Sequence, residues 1–258
     1  MAVARNIGVW GRAAAVAGFA ALSVAMTGNA IAGTVFVSHD EWTLSNAGFA
    51  NAPDTGQFVT NLVAEFGTTI HAYTSNFGFT QSSLAGAMAS AGATYTTGTG
   101  FAFNLANISA YDAIFLGGST LNAAELADLT TYVGNGGGVY IGGGTGTIGS
   151  AAAEAAAWNS FLAPFGVQMD PVYNGIAGTT PVAGDPIFSG VSSLYQNNGN
   201  GLSGASVFCC GADGLYAINR MDPGQPVSVA PTLALMGVAL VGLGLHSRRR
   251  AGDQAQQL

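Results

Sequence analysis

Between residues 33 and 165 short β-branched runs alternate with segments of helical length, and no other feature limits the fold of this chain as strongly. The run AYDAIFL at 110–116 reads as a buried strand. Gly117-Gly118-Ser119-Thr120 turns it into a helix over 122–133, with Leu126, Leu129 and Val133 on one face. Asn135-Gly136-Gly137 breaks that helix, a strand follows over 138–141, and a glycine-rich turn leads to a helix over about 150–165. Upstream, GTVFVS at 33–38 reads as a strand, and 55–66 as a helix opened by Asp54 and closed by Gly67. A strand at 69–73 and a helix at 81–91 complete this half. Such alternation implies parallel strands joined by crossover helices, and a sheet covered on both faces.

Past Gly166 the alternation weakens. A strand over 167–173, a loop over 174–185 and a compact apolar PIFSGV at 186–191 precede the turn Asn197-Asn198-Gly199-Asn200-Gly201. Two closing strands, 205–209 and 214–218, form a predicted hairpin around Cys210-Gly211-Ala212-Asp213. The expected architecture over 33–220 is one α/β domain, flavodoxin-like and three-layered, with a mostly parallel sheet.

Both ends of the chain carry address signals. Arg5 and Arg12 flank a short n-region, an apolar stretch follows over 13–25, and Ala30-Ile31-Ala32 has the small-x-small pattern of a signal peptidase site. Residues 1–32 therefore read as a secretory signal. After a linker at 221–226, the apolar run VSVAPTLALMGVALVGLGL begins at Val227 and is closed by Arg248, Arg249 and Arg250. An apolar run of roughly 18 residues or more can cross a bilayer, and clustered arginines hold their end in the cytoplasm. A transmembrane helix over 227–247 and a basic cytoplasmic tail over 248–258 follow, which places the body outside. Pro231, the small-residue-rich apolar segment and the three arginines together resemble the PEP-CTERM sorting signal of exported bacterial proteins. That resemblance implies an exosortase-type processing enzyme as partner, display at the cell surface or in an extracellular matrix, and association with exopolysaccharide. The family's Pro-Glu-Pro reads Val229-Ala230-Pro231 here, and the residues after Arg250 extend beyond the usual end.

Charge excludes one class of partner. The chain has 6 basic residues, all Arg, and the body keeps Arg220 alone. Nucleic-acid binding requires clustered Lys and Arg, so it is excluded for the body. The 2 cysteines, Cys209 and Cys210, are adjacent. In an oxidising compartment they could form a vicinal disulfide, pair between molecules or remain thiols, and the local disulfide is the expectation.

Two segments are candidate sites. His39, Asp40 and Glu41 stand at the carboxyl end of the first strand, where open α/β sheets place their ligand crevice. A metal pair, an acid/base couple helped by Asp54 or Asp112, and a solvated polar loop are the alternatives. Trp42, Phe49 and Tyr73 are candidates for an aromatic platform under a sugar ring. Gly142, Gly143, Gly144, Thr145 and Gly146 could present free N–H groups to an anion, or could serve close backbone packing. The block from YDAIFLGG to GGGVYIGGGTG, with Asp185-Pro186-Ile187-Phe188-Ser189-Gly190-Val191, resembles the class I glutamine amidotransferase-like superfamily. Its Gly-x-Cys-x-Gly frame falls on 142–146 and puts Gly144 at the nucleophile's place, and no histidine lies between His71 and His246. The resemblance thus implies a scaffold without that chemistry. The sequence-level expectation is a non-catalytic exported protein without cofactor or metal, with a sugar- or anion-binding module or a hydrolase using His39, Asp40 and Glu41 as rivals.

Overall fold

The computed structural model describes residues 33–209 and 213–221. The predicted signal peptide, the membrane helix over 227–247, Pro231 and the arginines at 248–250 lie outside these residues. So does most of the linker. Among the described residues no helix is long and apolar enough to cross a membrane.

The chain opens with β1 (Thr34–Ser38), a 3₁₀ turn (Glu41–Leu44), α1 (Asn46–Asn51), α2 (Thr55–Phe66), β2 (Thr69–Ala72), α3 (Phe77–Thr80) and α4 (Ser82–Ser90). It continues through β3 (Thr94–Thr97), α5 (Leu105–Ile108), β4 (Ala113–Leu116), α6 (Ala123–Gly134), β5 (Gly138–Gly142) and α7 (Ala151–Leu162). The last part is β-rich: β6 (Gln168–Tyr173), β7 (Ala177–Pro181), β8 (Ser193–Asn197), β9 (Asn200–Ser203), β10 (Val207–Cys209) and β11 (Asp213–Arg220).

Seven strands form one sheet in the order β10-β11-β1-β5-β4-β2-β3. The five from β1 to β3 are parallel, and β11 and β10 add an antiparallel margin. Helices cover both faces. Alternating side chains send Phe36, Ala113, Phe115 and Tyr140 to a core with α2 and α4, while Val35, Val37, Ile114, Leu116, Val139 and Ile141 meet α6 and α7. The expected mostly parallel α/β sheet is present. Several features differ from the sequence reading. β3 was unexpected, because a threonine-rich edge strand lacks the apolar run of a central one. The segment expected as a loop over 174–185 contains β7, which pairs with β8 in a separate two-stranded sheet. The helix expected to reach residue 165 ends at Leu162 and passes into a 3₁₀ turn, Ala163–Phe165, with proline in its first turn.

Phe36, Tyr140 and Phe115 lie side by side on β1, β5 and β4 in parallel register. Their rings stack, with centroids 4.9 Å apart for Phe36–Tyr140 and 4.8 Å for Phe115–Tyr140. Phe79 of α3 meets both Tyr140 and Phe115 edge-on. The room for that ring comes from glycine. A Cβ on Gly117 would stand 2.5 Å from Phe79, and one on Gly142 2.7 Å. Tyr140 is 1% exposed and its hydroxyl makes no hydrogen bond of ordinary geometry among the described residues. Removing the hydroxyl therefore strands no partner, whereas removing the ring leaves a cavity in the middle of the stack. Tyr140→Phe is expected to be neutral or stabilising, and Tyr140→Ala to cost about 3–5 kcal/mol, as read from chemical denaturation of the two variants.

Candidate functional site

The chain leaves β1 for the α2 face of the sheet and leaves the neighbouring β5 for the α7 face, so their carboxyl ends diverge. That is where an open α/β sheet leaves a crevice. Here His39, Asp40 and Glu41 follow β1, Gly143 to Gly146 follow β5, and Asn76 follows β2.

All three residues of the first candidate are buried. Asp40 caps the 3₁₀ turn, accepting from the Trp42 N–H at 2.9 Å through Oδ1. Its Oδ2 accepts from the Asn197 N–H. Glu41 accepts from the Asn76 side-chain amide. A third carboxyl joins them: Glu154 of α7, 1% exposed, accepts from the Thr145 hydroxyl at 2.9 Å and from the Thr145 N–H at 3.3 Å. Burial raises Asp40 to about 7 and Glu41 to about 8. Glu154 is raised as well, for the same reason. The hydrogen-bond partners named above are neutral, and Arg220 is occupied at the other edge of the sheet, where it grips Glu65 at 2.7 Å and Asp185 at 2.8 Å. Protonation is therefore the available way to remove the cluster's charge. Among the described residues no group of three or more His, Cys, Asp and Glu is placed to hold a metal.

His39 is locked by neutral amides. Its Nε2 lies 2.8 Å from Gln196 Oε1 and its Nδ1 3.1 Å from Asn174 Nδ2. An amide nitrogen donates only, so Nδ1 accepts and Nε2 carries the proton toward Gln196. Gln196 passes the network on to Tyr216, and Thr43 donates to Gln196 Oε1 at 3.1 Å. Burial holds His39 down at about 4. Both ring nitrogens are engaged within the protein, so the imidazole serves as a strut. His71 is engaged too, by Thr96 at 2.7 Å and the Gly98 carbonyl at 2.8 Å.

The glycine-rich turn is also filled from within. The N–H of Gly143 donates to Ser38 O at 2.8 Å, that of Gly144 to Asn200 Oδ1 at 3.1 Å, and that of Thr145 to the Glu154 carboxylate. Glu154 sits where an anion was considered. Gly144 has φ +66, and a Cβ there would stand 2.6 Å from the Gly199 Cα. The close-packing explanation thus accounts for Gly142, Gly143 and Gly144, whereas a Cβ on Gly146 would meet nothing within 4 Å.

The remaining candidates separate. Trp42 pairs with Phe77, Phe49 packs on the α2 side, and Tyr73 packs with Phe101 and Phe103 on the other side. Asp54 accepts from Ser192, and Asp112 accepts from the N–H groups of Thr68 and Thr69 at the opposite edge. Cys209 is engaged in a disulfide, and Cys210 lies outside the described residues.

Sequence reasoning missed Glu154, Asn76, Asn174, Gln196 and Asn200. Glu154 had a signal, being the one charge in AAAEAAAW. The amides had none, since their partners lie up to 157 residues away. Comparison of the chain with protein-family models, curated proteins and solved structures finds no match.

Carboxyls raised by folding bind protons more tightly in the native state, so their stabilisation is complete below about pH 4 and is lost as pH rises through 7 to 8. His39 acts oppositely, being lowered, and costs stability as pH falls from 6.5 toward 4. Asp54 and Asp185, held low by Ser192 and Arg220, add to that acid-side loss. Thermal unfolding is expected to show a lower Tm at pH 8.5 than at pH 6. Glu41→Gln keeps an acceptor for Asn76 and removes the titration, so it should flatten this alkaline slope.

Proposed function

We propose that residues 33–221 form a non-catalytic exported domain on a degenerate amidotransferase-like scaffold. It is held at the membrane by the C-terminal segment, processed by an exosortase-type enzyme and displayed in an exopolysaccharide-rich surface layer. The observation that carries the reading is the filled crevice. At the nucleophile's place stands Gly144, pressed against Gly199, and His39, Asp40 and Glu154 are spent on internal hydrogen bonds. Acyl transfer needs a nucleophile beside a base with a free lone pair, and His39 offers none.

Topology supports the scaffold. With β1 set aside, the order β3-β2-β4-β5 follows the 2-1-3-4 part of the flavodoxin-like arrangement, and β1 takes the fifth place. The ends support the tethering. The Met221 N–H donates to Gly33 O at 2.9 Å, so the chain enters and leaves the domain side by side.

Two outcomes are expected. Neither the wild-type protein nor Gly144→Cys should release ammonia from glutamine above a heat-killed control, because the new thiol meets Gly199 and has no base. Turnover by the wild type that is abolished in Glu41→Gln would overturn the non-catalytic reading. Independently, alkaline phosphatase fused after Asp222 should be active in a bacterial host and inactive when fused after Leu258. The reverse pattern would overturn the tethered topology.

A further inference from the structure

Asparagine followed by glycine is a chemically labile pair, because the unhindered glycine nitrogen can reach the asparagine side-chain carbonyl and displace ammonia. The pair occurs at Asn135, Asn174, Asn198 and Asn200. Folding treats these positions differently.

Asn174, Asn198 and Asn200 belong to the amide frame at the carboxyl edge of the sheet. Each carboxamide oxygen there accepts a backbone N–H: Asn174 from Ile176 at 3.0 Å, Asn198 from Gly175 at 2.8 Å and Asn200 from Gly144 at 3.1 Å. Asn174 and Asn200 also donate, the first to His39 Nδ1 and the second to the carbonyls of Ala151 and Asp170. Asn198 is exposed, yet its oxygen is held as firmly as the others. The glycines that follow are no freer. The Gly175 N–H is the donor to Asn198, Gly199 is buried against the His39 carbonyl, and a Cβ on Gly201 would stand 2.5 Å from Asp170 Oδ2. Turning any of these carboxamides toward its glycine breaks contacts across the fold.

Asn135 stands at the opposite end of the sheet, between α6 and β5, and is exposed. Its side chain makes no hydrogen bond to the described residues. Its backbone N–H and that of Gly136 close the last turn of α6, onto the carbonyls of Thr131 and Val133. Those are the end bonds of an exposed helix terminus, which open at little cost and leave the core in place. Once the Gly136 N–H leaves Val133, no other bond keeps the Asn135 carboxamide from the Gly136 nitrogen. Gly136, with φ +100, and Gly137 behind it let the backbone turn.

We infer that Asn135-Gly136 is a self-modification site, at which the folded domain slowly exchanges a neutral carboxamide for a carboxylate. The Gly136 nitrogen gives its proton to water or hydroxide and bonds to Asn135 Cγ. The Cγ–Nδ2 bond breaks, and Nδ2 takes a proton from water and leaves as ammonia, which closes a cyclic imide. Water opens the imide at either carbonyl, giving aspartate in the ordinary main chain or isoaspartate with the main chain routed through Cγ. Water is the sole co-reactant, and nothing is oxidised or reduced. Both products place a negative charge at the carboxyl end of the 12-residue α6, where the helix dipole is already negative. Isoaspartate also lengthens the connection to β5, which is closed by Gly137 N–H on Tyr132 and Gly138 N–H on Asp112. The modification is therefore destabilising. It rests on neither the tethering nor the absence of catalysis.

The test warms the full-length chain in detergent at neutral pH for weeks, beside a second sample unfolded in guanidinium. Peptic mapping by mass spectrometry follows each Asn-Gly pair, and isoaspartyl methyltransferase labels the same peptides. Unfolded, all the pairs should lose ammonia at similar rates. Folded, Asn174, Asn198 and Asn200 should fall at least about tenfold behind Asn135, as the extra hydrogen bonds to be broken imply. Asn135→Gln should abolish product at this position and leave the other rates unchanged. Asn135→Asp should lower Tm by about 1–3 °C, the effect of a charge at the unfavourable end of a helix dipole in a domain of this size. Modification of any other pair as fast as Asn135 in the folded chain would overturn the inference, as would a folded Asn135 that yields no product while the unfolded chain does. A Tm of Asn135→Asp at or above that of the wild type would overturn the destabilising direction.

Discussion

Three aromatic rings stacked across three adjacent parallel strands set the geometry of this domain. Phe36, Tyr140 and Phe115 occupy matched positions on β1, β5 and β4, so ring stacking holds the strands at the same register that the backbone ladder requires. Phe79 closes the upper end of the stack, and it does so by resting on Gly117 and Gly142. The first residues of both glycine-rich turns are thus an answer to one phenylalanine. Once α3 is seated there, Asn76 just before it comes within reach of Glu41. The polar cluster is built outward from the aromatic one.

Burying three carboxyls without a cation is costly unless they hold protons, and the surrounding amides are arranged to tolerate that. Asn76, Asn174, Gln196 and Asn200 bind strand ends and loops together through neutral groups that do not change with pH. Asn200 alone joins three segments, accepting from Gly144 and donating to the carbonyls of Ala151 and Asp170. The turn between β8 and β9, together with Asn174, lies over the sheet's carboxyl edge and is held there by amides.

How much of this could be read in the sequence depended on distance along the chain. Helix α2 has the bounds that periodicity and its flanking Asp54 and Gly67 suggested, because its signals are local. Even there, Asp54 makes no side-chain cap and instead holds Ser192, a contact across 138 residues. The run His39-Asp40-Glu41 was correctly placed after β1, yet its condition is decided by Asn174, Gln196 and Asn197, which no local pattern links to it. The glycines at 142–144 were legible as a tight turn, whereas the identity of what they accommodate was not. Strand β7 was hidden because its Gly, Thr and Pro carry no apolar alternation, and β8 because of its two inward residues, Leu194 and Gln196, only one is apolar.

The side-by-side entry and exit of the chain has a mechanical consequence. Tension arriving through Met221 enters at the end of β11, where Arg220 is clamped by Glu65 and Asp185. Beyond that clamp β11 runs the length of the sheet with ladder bonds to β1 on one side and β10 on the other. A pull along the strand loads those bonds together in shear instead of opening them one at a time. Such a strand, bonded on both sides, resists being drawn out better than an edge strand would.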